Sequence, residues 1–515
     1  MKNSVIAAIG AVVIIGGMGI YKAIEPALEA QAIQSSSDSA NIEHTINVGT
    51  DSWVGYVPFC SDFMNKQLRR EEIQIKCHDD EAKYAQRMDK LKRGELDLAL
   101  VETGAYALEG EAYNYPGVFI AAIDSSKGDA IVVDPKKYPD LATLRKDNKV
   151  RMALIPNSPS DYFGYYAETS FGLDLSSHDW VVEKDSQQAV LKSLTRGEVS
   201  AAIMWEPYVS MAQEQGYKVL LGTNQAKDVI VDALIANRRF LTDNPDLVKK
   251  VMAAYFKTLK HFRNNPSTLI NEVRDNNPAL TTNKMAEQAI AGARWITFTE
   301  NCKRWFGCDE DDWLAEVGIE DSLNLAHRIW RDAGIQKSNP FPDEDPYNLI
   351  NSSVLKELFK VGIDEGIVET IQNPLAYPFE PLTAEQWEQS RYLDKLNTGR
   401  IIFERGTNRM TLEGREALDG IADQLKQFPA HRLRIEGHTG TRGNKQANTK
   451  LSLDRANAVK HYLLTTYTDI DPDRILAIGL GGSKPLELNP GESSRSRSYS
   501  NRLKRVEIHL IENNY

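Results

Sequence analysis

Two hydrophobic periods alternate along most of this chain. Ile46–Gly49 is a short apolar strand that runs into Thr50, Asp51, Ser52 and Trp53. Ala82–Arg93 then takes the helical period, with Tyr84, Met88 and Leu91 on one face and Gly94 as the stop. Leu96–Val101 reads as a buried strand. Strands and helices in alternation predict α/β organisation. The Arg93-Gly94-Glu95 turn and the apolar run after it recur at Arg196-Gly197-Glu198, 103 residues later, again behind an amphipathic helix. Two copies of one helix–glycine–strand unit predict two similar lobes. Ligands of open α/β sheets sit beyond the carboxyl ends of the strands. The cleft is therefore expected between Glu102-Thr103-Gly104 of one lobe and Trp205-Glu206-Pro207-Tyr208 of the other.

The two ends of the chain depart from this pattern. Val5–Tyr21 is apolar throughout, between Lys2 and Lys22. As a helix it spans roughly 25 Å, against about 30 Å for a bilayer core. An uncleaved single-span anchor (residues 1–22) is the preferred expectation. A cleaved export signal is the alternative, since Ala30-Gln31-Ala32 has the small-x-small form but lies far downstream of the run; a buried core helix is the third. Residues 23–43 then form a flexible tether, Ser-rich from Gln34 to Ala40. Pro374, Pro378 and Pro381 mark a linker, taken as 371–396, after a body of 44–370. Residues 397–515 read as strand (Arg400–Phe403), helix (Leu412–Phe428), strand (Leu433–Glu436), helix (Ser452–Tyr462), strand (Arg474–Gly479) and strand (Arg505–Ile508).

Composition narrows the class. With 515 residues, 42% hydrophobic and 26% charged, the chain is neither collagen-like, nor wholly disordered, nor polytopic in a membrane. Net charge is −11, which argues against a nucleic-acid partner. Residues 395–515 hold 20 Lys and Arg against 14 Asp and Glu, net +6; the remainder holds 41 against 58, net −17. The four cysteines form near pairs, Cys60/Cys77 and Cys302/Cys308, and local disulfides are expected outside the cytoplasm. No C-x-x-C or adjacent His completes a zinc set, so neither metal nor cofactor is expected. Nucleophile elbow, His-Glu-x-x-His and phosphate loop are all missing from the sequence, and no enzyme is expected.

The loop Trp53-Val54-Gly55-Tyr56, with Gly94-Glu95-Leu96-Asp97, Asp124-Ser125-Ser126, Asp134, Trp205-Glu206-Pro207-Tyr208, Asp232 and Asn351–Leu355, resembles the type 2 periplasmic solute-binding proteins of nitrate, sulfonate and taurine importers. That resemblance implies a two-lobed α/β fold closing on a small solute, and the apolar run Val5–Tyr21 places one expected transmembrane helix ahead of it. Asn157-Ser158-Pro159-Ser160 has the form of a helix N-cap, able to offer amides to an anion, and Thr103-Gly104 offers the same from the other lobe. Asp51, Glu102, Glu206 and Asp232, near predicted strand ends, suit an ammonium group instead, and Trp53, Tyr56, Tyr162, Trp205 and Tyr208 can cage a cation or sandwich an apolar chain. The expected ligand contacts are Asp51, Trp53, Thr103, Asp124, Ser158, Ser160, Trp205, Glu206 and Asp232. The ligand class stays open among amine, amino acid and sulfonate.

Phe403, Gly437-His438-Thr439, Asn448, Leu451-Ser452, Arg455-Ala456 and Arg505-Val506-Glu507-Ile508 resemble the OmpA C-terminal domain, a peptidoglycan-holding α/β sandwich. The resemblance implies that Thr439, Asn448 and Arg455 bind peptidoglycan. In that family an Asp after Gly-His-Thr and the Arg of Leu-Ser-x-x-Arg-Ala clasp diaminopimelate, the acid holding its ammonium and the Arg fork its carboxylate. Here Arg455 is present and Gly440 stands at the acid's position. The expectation is an inner-membrane, single-pass envelope protein with its bulk in the periplasm, binding a small solute and peptidoglycan. The alternative is a scaffold subunit working with other inner-membrane subunits, its cleft degenerate.

Overall fold

The computed structural model describes residues 42–513, apart from 278, 309–315, 363–378, 398–399, 405 and 468–469. Val5–Tyr21, the tether up to residue 41 and the Pro374/Pro378 part of the linker lie outside the described residues. Among the described residues no helix is long and apolar enough to cross a membrane.

The first lobe is a five-stranded sheet in the order Ile73–Asp79, His44–Thr50, Leu98–Glu102, Val231–Asn237, Gly117–Ser125. The second repeats that plan as Val181–Glu183, Met152–Leu154, Ala201–Met204, Ala130–Val133, Lys218–Gly222. In each sheet three parallel strands meet a fourth that runs antiparallel. The chain crosses between lobes after Ser125 and again after Gly222. The internal repeat falls on equivalent places. Helix Tyr84–Arg93 ends at Gly94 (φ +72°) before Leu98–Glu102, and helix Gln187–Thr195 is followed by Gly197 (φ +71°) before Ala201–Met204. Both glycines adopt the left-handed conformation that lets a helix stop and reverse into a strand. The first sheet's strands Leu98–Glu102 and Gly117–Ser125 are buried along their whole length. Helices from residues 238–361 pack over that lobe, with Pro245–Asn264 set against both Asp62–Arg69 and Ser353–Val361.

The C-terminal sheet has the order Tyr392–Lys395, Val506–Glu512, His431–His438, Ile475–Gly481. Several sequence expectations are corrected here. Arg400–Phe403 is not a strand; it makes only an isolated bridge from Phe403 to Met410. The free edge of Val506–Glu512 is taken by Tyr392–Lys395, which lies inside the expected linker and pairs Lys395 with His509. Helix Lys445–Thr466 also runs well beyond Ser452–Tyr462 at both ends. Cys60 and Cys77 form the expected disulfide. Cys302 and Cys308 do not; both are buried as thiols. The two halves of the chain touch through an Arg145–Asp394 ion pair and through Asn397, whose amide donates to the Ser170 carbonyl at 2.8 Å.

Candidate functional site

The lobes close on a cavity lined by Asp51, Trp53, Tyr56, Tyr84, Asp129, Trp205 and Asp232, with Pro159 and Ile230 at its sides. Asp51 follows the first strand, Trp205 follows Ala201–Met204, and Asp129 lies on the first crossing between lobes. The enclosed space is about 20 Å³, enough for a water molecule and little more. Three carboxylates face it. Asp51 is held by Arg87 (Oδ2 to Nη2 3.0 Å) and accepts from the Trp53 amide at 3.0 Å. Asp232 accepts from the Tyr56 hydroxyl at 2.5 Å. Asp129 accepts from the Ser126 hydroxyl.

Arg87 is wholly buried and already engaged: its guanidinium holds Asp80 at 2.5 Å as well as Asp51, and donates to the Leu100 carbonyl at 2.5 Å. Its charge therefore leaves the surrounding acids largely uncompensated. Burial pushes the Asp129 carboxyl up to about 7. It also raises Asp51, against the pull of Arg87. Asp232 lies well above the usual range, through burial and then the nearby Asp124 charge. Behind this layer, burial lifts Glu102 to about 8 and Asp124 to about 6.

The sequence-derived residues divide accordingly. Asp51, Trp53, Trp205 and Asp232 line the cavity. Asp124 sits behind Trp53, accepting from its indole N–H at 3.2 Å and from the Arg294 amide at 2.5 Å. Glu206 accepts from the Ser210 amide and hydroxyl at 3.0 and 2.9 Å. Thr103 is turned away, its hydroxyl 2.8 Å from that of Ser322. The anion sites expected at the two helix N-termini are filled from within. Glu102 accepts the Gly104 and Ala105 amides, both at 2.7 Å. Ser158 accepts the Ser160 amide at 3.2 Å, while Asp161, pushed up to about 6 by burial, accepts that of Asn157 at 3.0 Å. Ser158 and Ser160 do not line the cavity. The Ser160 hydroxyl is buried with no hydrogen-bond partner among the described residues.

At the C-terminal end, Thr439 donates its amide to the Gly481 carbonyl at 2.8 Å. Asn448 secures the following loop by donating to the Gly440 and Arg442 carbonyls at 3.2 and 2.9 Å. Arg455 lies over the Phe403 ring (5.1 Å to its centroid) and donates from Nε to the Thr407 carbonyl at 2.9 Å. That contact steadies the guanidinium, whose two terminal nitrogens make no hydrogen bond among the described residues. At Gly440 an added Cβ would meet nothing within 4 Å.

Residues 43–269 match the NMT1-like family and residues 402–498 the OmpA family. The chain joins an NMT1-like domain to an OmpA domain. Both are families of binding proteins rather than enzymes, as expected from the sequence. Over 119 residues the chain is 29% identical to outer membrane protein Omp38 of Acinetobacter baumannii, covering 23% of this chain and 33% of that one. It is 29% identical over 203 residues to the peptidoglycan-binding protein ArfA of Mycobacterium bovis, covering 39% and 58%. The chain thus spans a third to somewhat over half of these relatives' lengths. Among solved structures, the periplasmic aliphatic sulphonate binding protein SsuA of Escherichia coli aligns at 15% identity and a TM-score of 0.46, over 59% of this chain and 98% of that one.

Within the NMT1-like domain, sequence reasoning missed Arg87 and Asp129. Arg87 sits in a helix whose polar residues look solvent-facing, and only the fold shows it turned inward toward Asp51. Asp129 had a legible signal: it lies three residues beyond Ser126, in the segment that leaves one lobe for the other.

Proposed function

We propose that this is an envelope protein whose NMT1-like domain (residues 44–370) closes on a small cationic amine and whose OmpA domain holds peptidoglycan, with Val5–Tyr21 anchoring the chain in the inner membrane and its bulk in the periplasm. The observation that carries the amine is the set of three carboxylates, Asp51, Asp129 and Asp232, around one cavity whose nearest guanidinium is already committed. Trp53, Tyr56, Tyr84 and Trp205 add aromatic walls suited to an ammonium group. A sulfonate would meet carboxylates there, and both candidate helix N-termini already hold one. Opening about the two crossings admits the solute.

Thermal stabilisation screened over amines, amino acids and sulfonates tests this reading. Amines are expected to raise the melting temperature and sulfonates to leave it unchanged; the reverse ranking would sink the proposal. Amine affinity is expected to rise with pH, because Asp129 must ionise to hold a cation. Below pH 7 the loss is about tenfold per pH unit for each proton displaced. Without ligand the trend in stability runs the other way. Glu102 and Asp129 have folded-state pKa values above their unfolded ones, so their contribution is present at low pH and lost as pH rises to about 8. Between pH 6.5 and 8 the unliganded chain should lose stability on the order of 1–2 kcal/mol, Lys227, lowered to about 8 by burial, offsetting a small part of the loss. The window starts at 6.5 because His431 and His509, each lowered to about 4 chiefly by burial, act with the opposite sign beneath it. Calorimetry at the two pH values checks the sign.

For the wall, Arg455→Ala should weaken sedimentation with isolated peptidoglycan by about 10–100-fold, the loss of hydrogen bonds to a charged group. Gly440→Asp should strengthen it, since the new carboxylate has room and can take the ammonium of diaminopimelate. Pelleting unchanged by both would remove the clasp. The scaffold reading is favoured by one observation, the small volume of the closed cavity. Co-purification of a defined membrane complex, with no stabilising amine, would support it.

A further inference from the structure

The face of the OmpA-domain sheet turned away from helix Lys445–Thr466 gathers polar groups that neither binding function uses. Along His431–His438 and Val506–Glu512, alternate residues point to opposite faces. Leu433, Ile435, Ile508 and Leu510 go to the buried core. Glu436 and Glu507 lie directly opposite each other across the ladder, Arg434 faces His509, and His438 follows Glu436 on the same side. We infer that this face binds one divalent transition-metal ion of the zinc type, held by Glu436, Glu507 and His509 with His438 as the fourth ligand.

The geometry supports this in three ways. Glu436, Glu507 and His509 each bring a ligand atom within 4.8 Å of the other two, the only such group of three among the described residues. His509 Nε2 lies 3.8 Å from Glu436 Oε2 and 3.9 Å from Glu507 Oε2; His438 Nε2 lies 3.8 and 3.2 Å from the same two oxygens. Tetrahedral zinc with bonds of about 2.0–2.2 Å sets its ligand atoms roughly 3.3–3.6 Å apart, so small side-chain shifts close the set.

The carboxylates are also oriented for it. The outer oxygens carry the strongest ion pairs, Glu436 Oε1 with Arg434 Nε at 3.0 Å, and Glu507 Oε1 with Lys395 Nζ at 3.1 Å and Arg505 Nε at 3.0 Å. The inner oxygens face the two imidazoles and are reached by Lys484 and Arg505 only at 3.6 and 3.4 Å. Ion pairs on the outer oxygens fix a ligating carboxylate as hydrogen bonds do around metal sites.

The third observation points to the ion itself. His438 is 1% exposed and His509 8%. Neither ring nitrogen of either residue has an aligned hydrogen-bond partner among the described residues, although carboxylate oxygens stand close by. Buried polar groups are rarely left so. A cation between the Nε2 atoms and the inner oxygens satisfies two of these nitrogens. Imidazole nitrogens beside carboxylates favour zinc-type ions over calcium or magnesium, which take oxygen ligands.

The test uses the full-length, untagged chain, titrated calorimetrically with Zn²⁺ after chelation and analysed for bound metal. One ion per chain is expected. In His509→Val affinity should fall by at least about 10–100-fold, the loss that even an outer partner of a metal site causes. Glu507→Gln should do the same, and serves if the valine variant does not fold. Co²⁺ in place of Zn²⁺ should give visible absorption bands that disappear in both variants. No stoichiometric binding, or binding unchanged in the folded variants, would overturn the site and leave a plain ion-pair network. Amine binding by the other domain should be unaffected throughout, so this outcome is separable from that one.

Discussion

Arg87→Met is expected to destabilise the NMT1-like domain by about 3–5 kcal/mol, the usual consequence of removing one partner from a buried ion pair. Arg87 is fully buried on helix Tyr84–Arg93, with its guanidinium between Asp51 and Asp80 and against the Leu100 carbonyl. Methionine fills much of the same space and keeps the packing against Tyr84. The loss is therefore electrostatic. Two carboxylates would be left buried without a counter-charge, and the Leu100 carbonyl would lose a donor. Asp51, already raised by burial, would be driven further toward its protonated form without Arg87, so the deficit should shrink at low pH. Adding Asp51→Asn and Asp80→Asn to the methionine variant should recover part of it, since neutral amides tolerate burial better than unpaired charges. The measurement is the calorimetric transition of this domain in the full chain. A loss below about 1 kcal/mol, with no pH dependence, would mean that the pair is not what holds the helix to the sheet.

Gly437→Ala is expected to act as strongly on the other domain. A Cβ at Gly437 would stand 1.9 Å from the Ser452 carbonyl oxygen and 2.7 Å from its carbon, both backbone atoms of helix Lys445–Thr466. Its ladder partner Gly479 is equally close to that helix, with Leu453 N at 2.5 Å and the Thr449 carbonyl at 2.6 Å from a Cβ. The helix thus lies directly on a pair of glycines from adjacent strands. A methyl group cannot be absorbed by turning a side chain; the helix backbone itself must lift. Overpacking of this kind costs about 1–3 kcal/mol, and backbone against backbone belongs at or above the top of that range. Helix Lys445–Thr466 also carries Asn448 and Arg455, so peptidoglycan sedimentation should be lost along with the domain's thermal transition. Stabilisation of the NMT1-like domain by amines should persist. An unchanged transition would falsify the close contact.

Elements fixed by local chemistry were legible in the sequence. The recurring helix–glycine–strand unit required only an amphipathic period and a residue that tolerates positive φ, and both copies fall on matching strands of the two sheets. Proximity along the chain pointed to Cys60–Cys77 correctly, but the same argument failed for the nearer pair Cys302 and Cys308. Errors arose where one segment competed with another. Arg400–Phe403 has a strand's composition, but Tyr392–Lys395 pairs along the edge of Val506–Glu512 in its place. Thr103 and Ser158 were assigned to an anion because they open helices. Glu102 already accepts the amides of Gly104 and Ala105, and the Ser158 hydroxyl takes that of Ser160 while Asp161 takes that of Asn157.

The sequence by itself determined two lobes, a cleft between the ends of Leu98–Glu102 and Ala201–Met204, a local disulfide and a separate basic α/β domain, because periodicity, glycine stops and short-range cysteine spacing are local properties. Only the tertiary structure decided which acids face the cleft. Asp51, Asp129 and Asp232 come from segments up to 181 positions apart, and whether each faces solvent, a counter-ion or the cavity depends on strand order and register. The same holds for Arg87, an ordinary polar position by pattern, which the packing of its helix on the sheet turns into the buried partner of two carboxylates.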